Sequence, residues 1–436
     1  MSSTPVTGDQ RYLKAINRMN LLRLLREQAG MSRAELALRS GLTRSTVSAR
    51  IRELIEEGWL SEEGAAATGG PGRRPTPLNL DGSRLILLGA ELGPDAIRVV
   101  ATSIQGDVLE ASQAALRSRE PDPACHQLVE MVSALSARVT REGAQLLGIG
   151  VGLHGLVDKR SGMLEFAPNI GWRNVDVGNR LGAELGRSGF ANVPVYYHNE
   201  ADMAAVSETE FGQHPVADPL VYVGCGVGVG AGIVLNGALF TGATGSAGEI
   251  GHTTLVIDGA PCSCGRLGCA EAYLGLKSIA AAAGCLQHGA IDHAALRARM
   301  SARDPVARAA FARAGELLGV LLQNAWTTFN PQVIVLGGET VTLGGDTLVD
   351  AASQVLARYA GRAGLQAPQL RLARYADLAT AVGGAAYVLH AILNPHQRSL
   401  HIRYAPEAQA PRSPARMHRT PQQAGLPAFN RIEETP

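Results

Sequence analysis

Apolar residues recur at helical spacing from the start of the chain. Leu13, Ile16, Met19, Leu22 and Leu25 fall on one stripe and predict a helix over 12–29, which Gly30 ends. Ser32, with Glu35 three positions on, forms a capping box that opens a short second helix, SRAELALRSG. Gly41 and Leu42 make a tight turn. Thr43 caps a third helix, TRSTVSARIRELIEEG, whose apolar face is Val47, Ile51, Leu54 and Ile55. The opposite face carries Arg44, Ser45, Ser48, Ala49 and Arg52, a basic and small polar surface of the kind that fits a major groove, and Thr46 joins Arg44, Ser45, Ser48 and Arg52 as a candidate DNA contact. Trp59-Leu60 and Pro77–Leu80 then read as two hairpin strands, with Arg73 and Arg74 at the tip in GGPGRRP.

Helix, turn, helix and basic hairpin in that order predict a winged helix-turn-helix over residues 1–80, with Arg73 and Arg74 reaching phosphates or the minor groove. The alternative is a helical protein-contact module.

From Ser83 strands and helices alternate. RLILLGAELGPDAIRVVATSIQGDVL predicts two or three strands. LLGIGVGLHGLVD predicts a strand entering a glycine-rich loop, and VPVYYHNEADMAAVSETEFG a strand running into a helix. NPQVIVLGGET joins a helix to a strand through a double-glycine turn. Residues 220–240 carry no charge, but alternating glycines from 224 to 232 suit buried strands better than a membrane helix. The body is expected to be α/β, with a cleft between two lobes near residues 200–220.

The net charge of +1 hides an asymmetry. Residues 1–80 hold 12 Lys/Arg against 8 Asp/Glu, residues 392–436 hold 6 against 3, and the middle holds 22 against 28. A basic head on an acidic body suits a nucleic-acid unit joined to something else; ordinary surface scatter is the alternative. The first twenty residues lack the apolar segment of a signal peptide, so a cytoplasmic location is expected.

Three of the six cysteines cluster, which does not suit a disulfide framework. His252-x9-Cys262-x-Cys264-x4-Cys269 offers one imidazole and three thiolates. That is a closed tetrahedral set, structural in type, and soft thiolates select zinc. A redox pair or unrelated core cysteines are the alternatives. A bound metal would fix His252 and leave its second ring nitrogen facing the cleft.

The runs GAELGPDAIRVV, GVGLHGLVD, APNIGW, HNEADMAA, GCGVGVGAGIV, GEIGH, CSCGRLGCAE and NPQVIVLGG together resemble the ROK family of sugar-dependent repressors and sugar kinases, over about residues 83–391. The resemblance implies an actin-like body, a duplicated ribonuclease H-like fold in two lobes spanning 81–391, and one structural zinc. The DNA-binding head places the chain with the family's repressors. It also implies a sugar held between the lobes by Asn169, Asn199, Glu200, Glu249, His252 and Glu271, whose oxygens accept hydroxyl protons. His154 stands where the family usually has proline.

The family's kinases cradle ATP phosphates with Asp-x-Gly-Gly-Thr, where this chain has Glu91-Leu92-Gly93-Pro94-Asp95. Pro94 has no N–H and Asp95 brings a negative charge. Cys225 replaces the hydroxyl of the second phosphate loop, and Glu200 stands at the catalytic aspartate position. The expectation is a sugar-responsive repressor without kinase activity, binding a palindromic operator as a homodimer or a dimer of dimers. The rivals are an active ATP-dependent sugar kinase with a DNA-binding head, and a regulator titrated by a protein partner. The Pro-, Arg- and Gln-rich residues 392–436 are expected to be disordered.

Overall fold

The computed structural model of the chain describes residues 10–62, 76–140, 143–212 and 217–394. The head consists of α1 (Gln10–Glu27), α2 (Arg33–Ser40), α3 (Arg44–Glu56) and an antiparallel pair, β1 (Leu60–Glu62) and β2 (Leu78–Leu80). The capping box forms: the Glu35 carboxylate accepts from the Ser32 backbone N–H at 2.7 Å, and the Ser32 side chain accepts from the Glu35 N–H. Gly41 ends α2 with φ of 69°, a left-handed conformation glycine adopts without strain. Val47, Ile51 and Leu54 are buried against Leu21, Leu22 and Leu25 of α1. Trp59 is buried ahead of the hairpin, which starts one residue later than expected. Arg73 and Arg74 lie outside the described residues.

The first lobe follows with β3 (Leu85–Leu92), β4 (Ala96–Thr102), β5 (Val108–Ala115), α4 (Pro121–Val139), β6 (Gln145–Leu153), β7 (Leu156–Asp158), β8 (Met163–Ala167), β9 (Trp172–Asp176), α5 (Val177–Leu185), β10 (Val195–Asn199) and α6 (Glu200–Phe211). The second lobe holds β11 (Leu220–Cys225), β12 (Val229–Leu235), β13 (Ala238–Leu239), α7 (Glu271–Leu274), α8 (Leu276–Ala282), β14 (Leu286–Gln287), β15 (Ala290–Ile291), α9 (His293–Ser301), α10 (Pro305–Phe329), β16 (Val333–Gly337), α11 (Glu339–Arg362) and β17 (Gln369–Leu372). Helix α12 (Ala379–Leu393) returns to the first lobe.

The two main sheets share one plan. Their orders are β10-β6-β3-β4-β5 and β17-β16-β11-β12-β13. In each, three successive strands pair antiparallel and two later strands join in parallel. This is the duplicated, actin-like body. Residues 376–393 are apolar and long enough to cross a membrane, but 72% of them are buried inside the protein. Helix α12 is instead a core helix. It lies so close to the sheet that a Cβ on Gly89 would sit 1.8 Å from the Ala381 carbonyl oxygen, and one on Gly150 2.0 Å from that of Gly384. Glycine is required at both positions by this close approach.

Candidate ligand cavity and metal clamp

A cavity of about 500 Å³ opens between the lobes, and its wall includes Asn169, Asn199, Glu200, Glu249, His252 and Glu271. All six residues expected to meet a sugar are thus brought together from the turn after β8, the β10–α6 junction, the turn Ile250–His252 with the residue before it, and the start of α7. Asn199 caps α6 by accepting from the Ala201 N–H at 2.8 Å. Its amide donates to the Gly155 carbonyl at 2.9 Å and to the Glu200 carboxylate at 2.6 Å. Burial raises the Glu200 carboxyl above its usual range despite the opposing charge of His154. Burial, and then the charge of Glu200, push the Glu249 carboxyl up to about 7. Glu271 is more committed: it accepts from the Val229 N–H at 3.0 Å and from the Ser263 hydroxyl at 2.7 Å. It braces the metal loop as much as it faces the cavity. Ser246 and Arg266 also line the wall. The sequence motifs single out neither; the position of Arg266 inside the cysteine loop is the one signal that could have found it.

His252, Cys262, Cys264 and Cys269 place their ligand atoms within 4.8 Å of one another. The Nδ1 of His252 lies 3.6 Å from the Cys262 Sγ, while its Nε2 lies 3.8 Å from the Glu249 carboxylate on the cavity side. One ring edge belongs to the cluster and the other to the cavity, as the sequence suggested. Burial, followed by the neighbouring Cys264 and Cys262, pushes the Cys269 thiol up to about 12. Three thiolates coexist there only beside a compensating cation, so the donor set fits a structural metal ion.

A second cavity of about 440 Å³ adjoins the first, and His154 and Glu200 line both. It contains the turn around Pro94 and Asp95, the loop at Cys225 and the glycine at 338. Five carboxylates surround it: Glu91, Asp95, Glu200, Glu339 and Asp377. All five have partners: Glu200 accepts from the Asn199 amide, Glu91 meets His154 at 2.7 Å and Arg98 at 3.1 Å, Asp95 meets Arg119 at 2.9 Å, Glu339 meets His293 at 2.7 Å, and Asp377 accepts from Thr342 at 3.2 Å. The loop amides are also in use: Gly93 N–H donates to the Ala96 carbonyl at 3.0 Å and Gly226 N–H to that of Gly228 at 2.8 Å. Burial holds Cys225 up at about 12, so it stays a neutral thiol.

On the head, Arg44, Ser45 and Arg52 are exposed on α3, while Thr46 and Ser48 are half-buried. Thr46 donates its N–H to the capping Thr43 at 3.2 Å. Among the described residues, Arg44 and Arg52 have no ion-pair or hydrogen-bond partner, whereas Arg50 on the same helix pairs with Glu53 at 3.1 Å.

These features define a class: a two-lobed, actin-like ligand-binding body behind a winged helix-turn-helix head. The sequence pattern of the ROK family matches residues 87–391, and that of winged helix-turn-helix DNA-binding units matches residues 15–61. The chain belongs to the ROK family. It is 32% identical over 333 residues to the xylose repressor of Bacillus subtilis, covering 76% of this chain and 83% of that one. It is 27% identical over 401 residues to the xylose repressor of Caldicellulosiruptor bescii, covering 89% and 98%. The structure of a ROK family transcriptional regulator, a homolog of the E. coli MLC protein, superposes with a TM-score of 0.71 at 22% identity, over 88% of this chain and 97% of that one.

Proposed function

We propose that this chain, a sugar-responsive DNA-binding repressor, takes its effector in the 500 Å³ interlobe cavity. The observation that carries the reading is the convergence there of Asn169, Asn199, Glu200, Glu249 and His252, polar groups from both lobes around one space. A polyhydroxylated ring gives each of them a hydroxyl to meet. The effector is a monosaccharide or derivative. D-Xylose is the first to test, because two relatives bear the name xylose repressor. Residues 1–80 form the DNA-reading unit, with Arg44 and Arg52 at the groove, and residues 81–391 form the effector unit. The working form is a cytoplasmic homodimer on a palindromic operator, since a two-fold protein reads a two-fold site.

His252, Cys262, Cys264 and Cys269 would hold zinc, which would fix the loop and not activate a water. His252 then offers its Nε2 edge to the effector and Glu271 holds the loop against Val229.

Kinase activity is lost in this reading. Phosphoryl transfer needs amides and cations around the phosphates. In the second cavity the phosphate turn has a proline, the Gly93 and Gly226 amides are occupied, and Arg98 and His293 are held by Glu91 and Glu339; Arg297 also lines the wall, against five carboxylates. A thermal-shift panel of sugars, each with and without ATP and magnesium, tests both halves. A sugar-dependent shift without ATP consumption supports the reading, and sugar-dependent ATP consumption supports the kinase.

A further inference from the structure

The head and the first lobe share one apolar core, in which Leu21, Leu22 and Leu25 of α1 pack with Leu389 and Leu393 of α12. A small polar joint is built into this seam. Glu210, near the C-terminal end of α6, is only 8% exposed and uses every acceptor it has. Its Oε2 accepts from Arg26 of α1 at 2.5 Å, its backbone carbonyl accepts a second guanidinium N–H of Arg26, and its Oε1 meets His390 Nδ1 of α12 at 2.6 Å. Arg23, one turn earlier on α1, donates to Asn394 just past α12.

The same helix begins in the effector cavity. Its first residue is Glu200 and its cap is Asn199. Ten of its twelve residues are buried. It is wedged on both sides: a Cβ on Gly232 of β12 would sit 2.2 Å from the Ala201 carbonyl oxygen, and one on Gly383 of α12 would sit 1.9 Å from that of Met203. A 12-residue helix spans roughly 18 Å, and packed this closely it moves as a rod. The second lobe grips its far end. The Arg374 N–H donates to Glu208 at 2.8 Å, and the Arg374 guanidinium donates to the Phe211 carbonyl. Head, first lobe and second lobe therefore meet around the end of α6: Glu210 holds the head, and its neighbours Glu208 and Phe211 hold the second lobe, beside a cavity of about 400 Å³ lined by Arg26, Gln105, Glu210 and Arg374.

We propose that Glu210 is a positioning residue that couples the effector cavity to the DNA-binding head. Effector closure of the lobes displaces α6 and Arg374, and the Glu210–Arg26 pair carries that displacement into α1. This rests on the reading of the interlobe cavity as the effector site.

The test is hydrogen exchange on the full chain with D-xylose, D-glucose and N-acetylglucosamine as probes, in wild type, Glu210→Gln and Arg26→Gln. Arg26 lies on the head side of the seam, so its variant keeps the test open if Glu210→Gln fails to fold. In wild type, a binding sugar slows exchange at 199–203 and 246–252 and changes exchange in 13–27. In the variants the cavity protection persists, while the response in 13–27 falls about fivefold or more. Arg26→Lys restores part of it. An undiminished response in 13–27 in both glutamine variants overturns the coupling alone. No protection at the cavity in wild type with any of the three sugars overturns the effector reading and the coupling with it.

Discussion

The imidazole of His154 and the carboxylate of Glu91 meet at 2.7 Å across 63 residues of sequence, on the wall between the two cavities. Arg98 holds the other Glu91 oxygen at 3.1 Å. Burial opposes charge on His154, but Glu200 and Glu91 outweigh it and raise its pKa above the ordinary value. A raised folded value gives stability that is complete below about pH 6.5 and drains as pH climbs through the folded pKa. His154→Gln is expected to cost about 1–3 kcal/mol below that window and less above it. Thermal unfolding from pH 5.5 to 9 measures this; a pH-independent difference contradicts it.

Asp202 behaves in the opposite sense to an ordinary surface carboxylate. It is buried on α6 beside His198, and burial pushes it up to about 8 against the pull of Lys159. Between about pH 4 and 8 the unfolded chain ionises this group while the folded chain resists. Wild-type stability therefore drains through that window, and Asp202→Asn does not share this loss. The stability difference in favour of the asparagine variant is expected to grow by a few kcal/mol from pH 4 to 8. Parallel denaturant titrations of the two proteins decide it, and a constant gap rules it out.

The metal clamp predicts one zinc per chain. Cys264→Ser is expected to lose it, measured by elemental analysis of purified protein. Because Cys264 and His252 both line the effector cavity, sugar affinity falls in the same variant. Lost zinc with unchanged sugar affinity separates the clamp from the pocket.

Arg44 and Arg52 are free to neutralise phosphates. Each phosphate that an arginine neutralises adds about 1 to the salt slope of DNA binding, and alanine removes that increment. The double variant is expected to bind operator DNA more weakly and with a flatter salt dependence. Unchanged affinity contradicts α3 as the reading helix.

Much of this was legible locally. Ser32 and Glu35 announced α2, Thr43 announced α3, and the His252–Cys269 spacing announced the histidine–cysteine cluster, because caps and ligand loops are decided by neighbours within a few positions. The resemblance to the ROK family pointed to Asn199, Glu249 and Glu271, and the structure brings these residues to one cavity. Contacts between distant segments were not legible. Nothing beside Arg26 points to Glu210, 184 residues on. Nothing beside His154 points to Glu91. The hydroxyl-reading role of Glu271 looked equal to the others, whereas its oxygens are largely occupied by Val229 and Ser263.

In a sugar-responsive repressor, effector occupancy and DNA affinity are linked. The direct measurement is fluorescence anisotropy of the full chain on DNA from upstream of its own gene, with and without a sugar that shifts its melting temperature. The sugar is expected to weaken DNA binding about tenfold or more, a coupling of roughly 1.4 kcal/mol or above, and Glu200→Gln is expected to lose this response. The same DNA affinity with and without the bound sugar contradicts it.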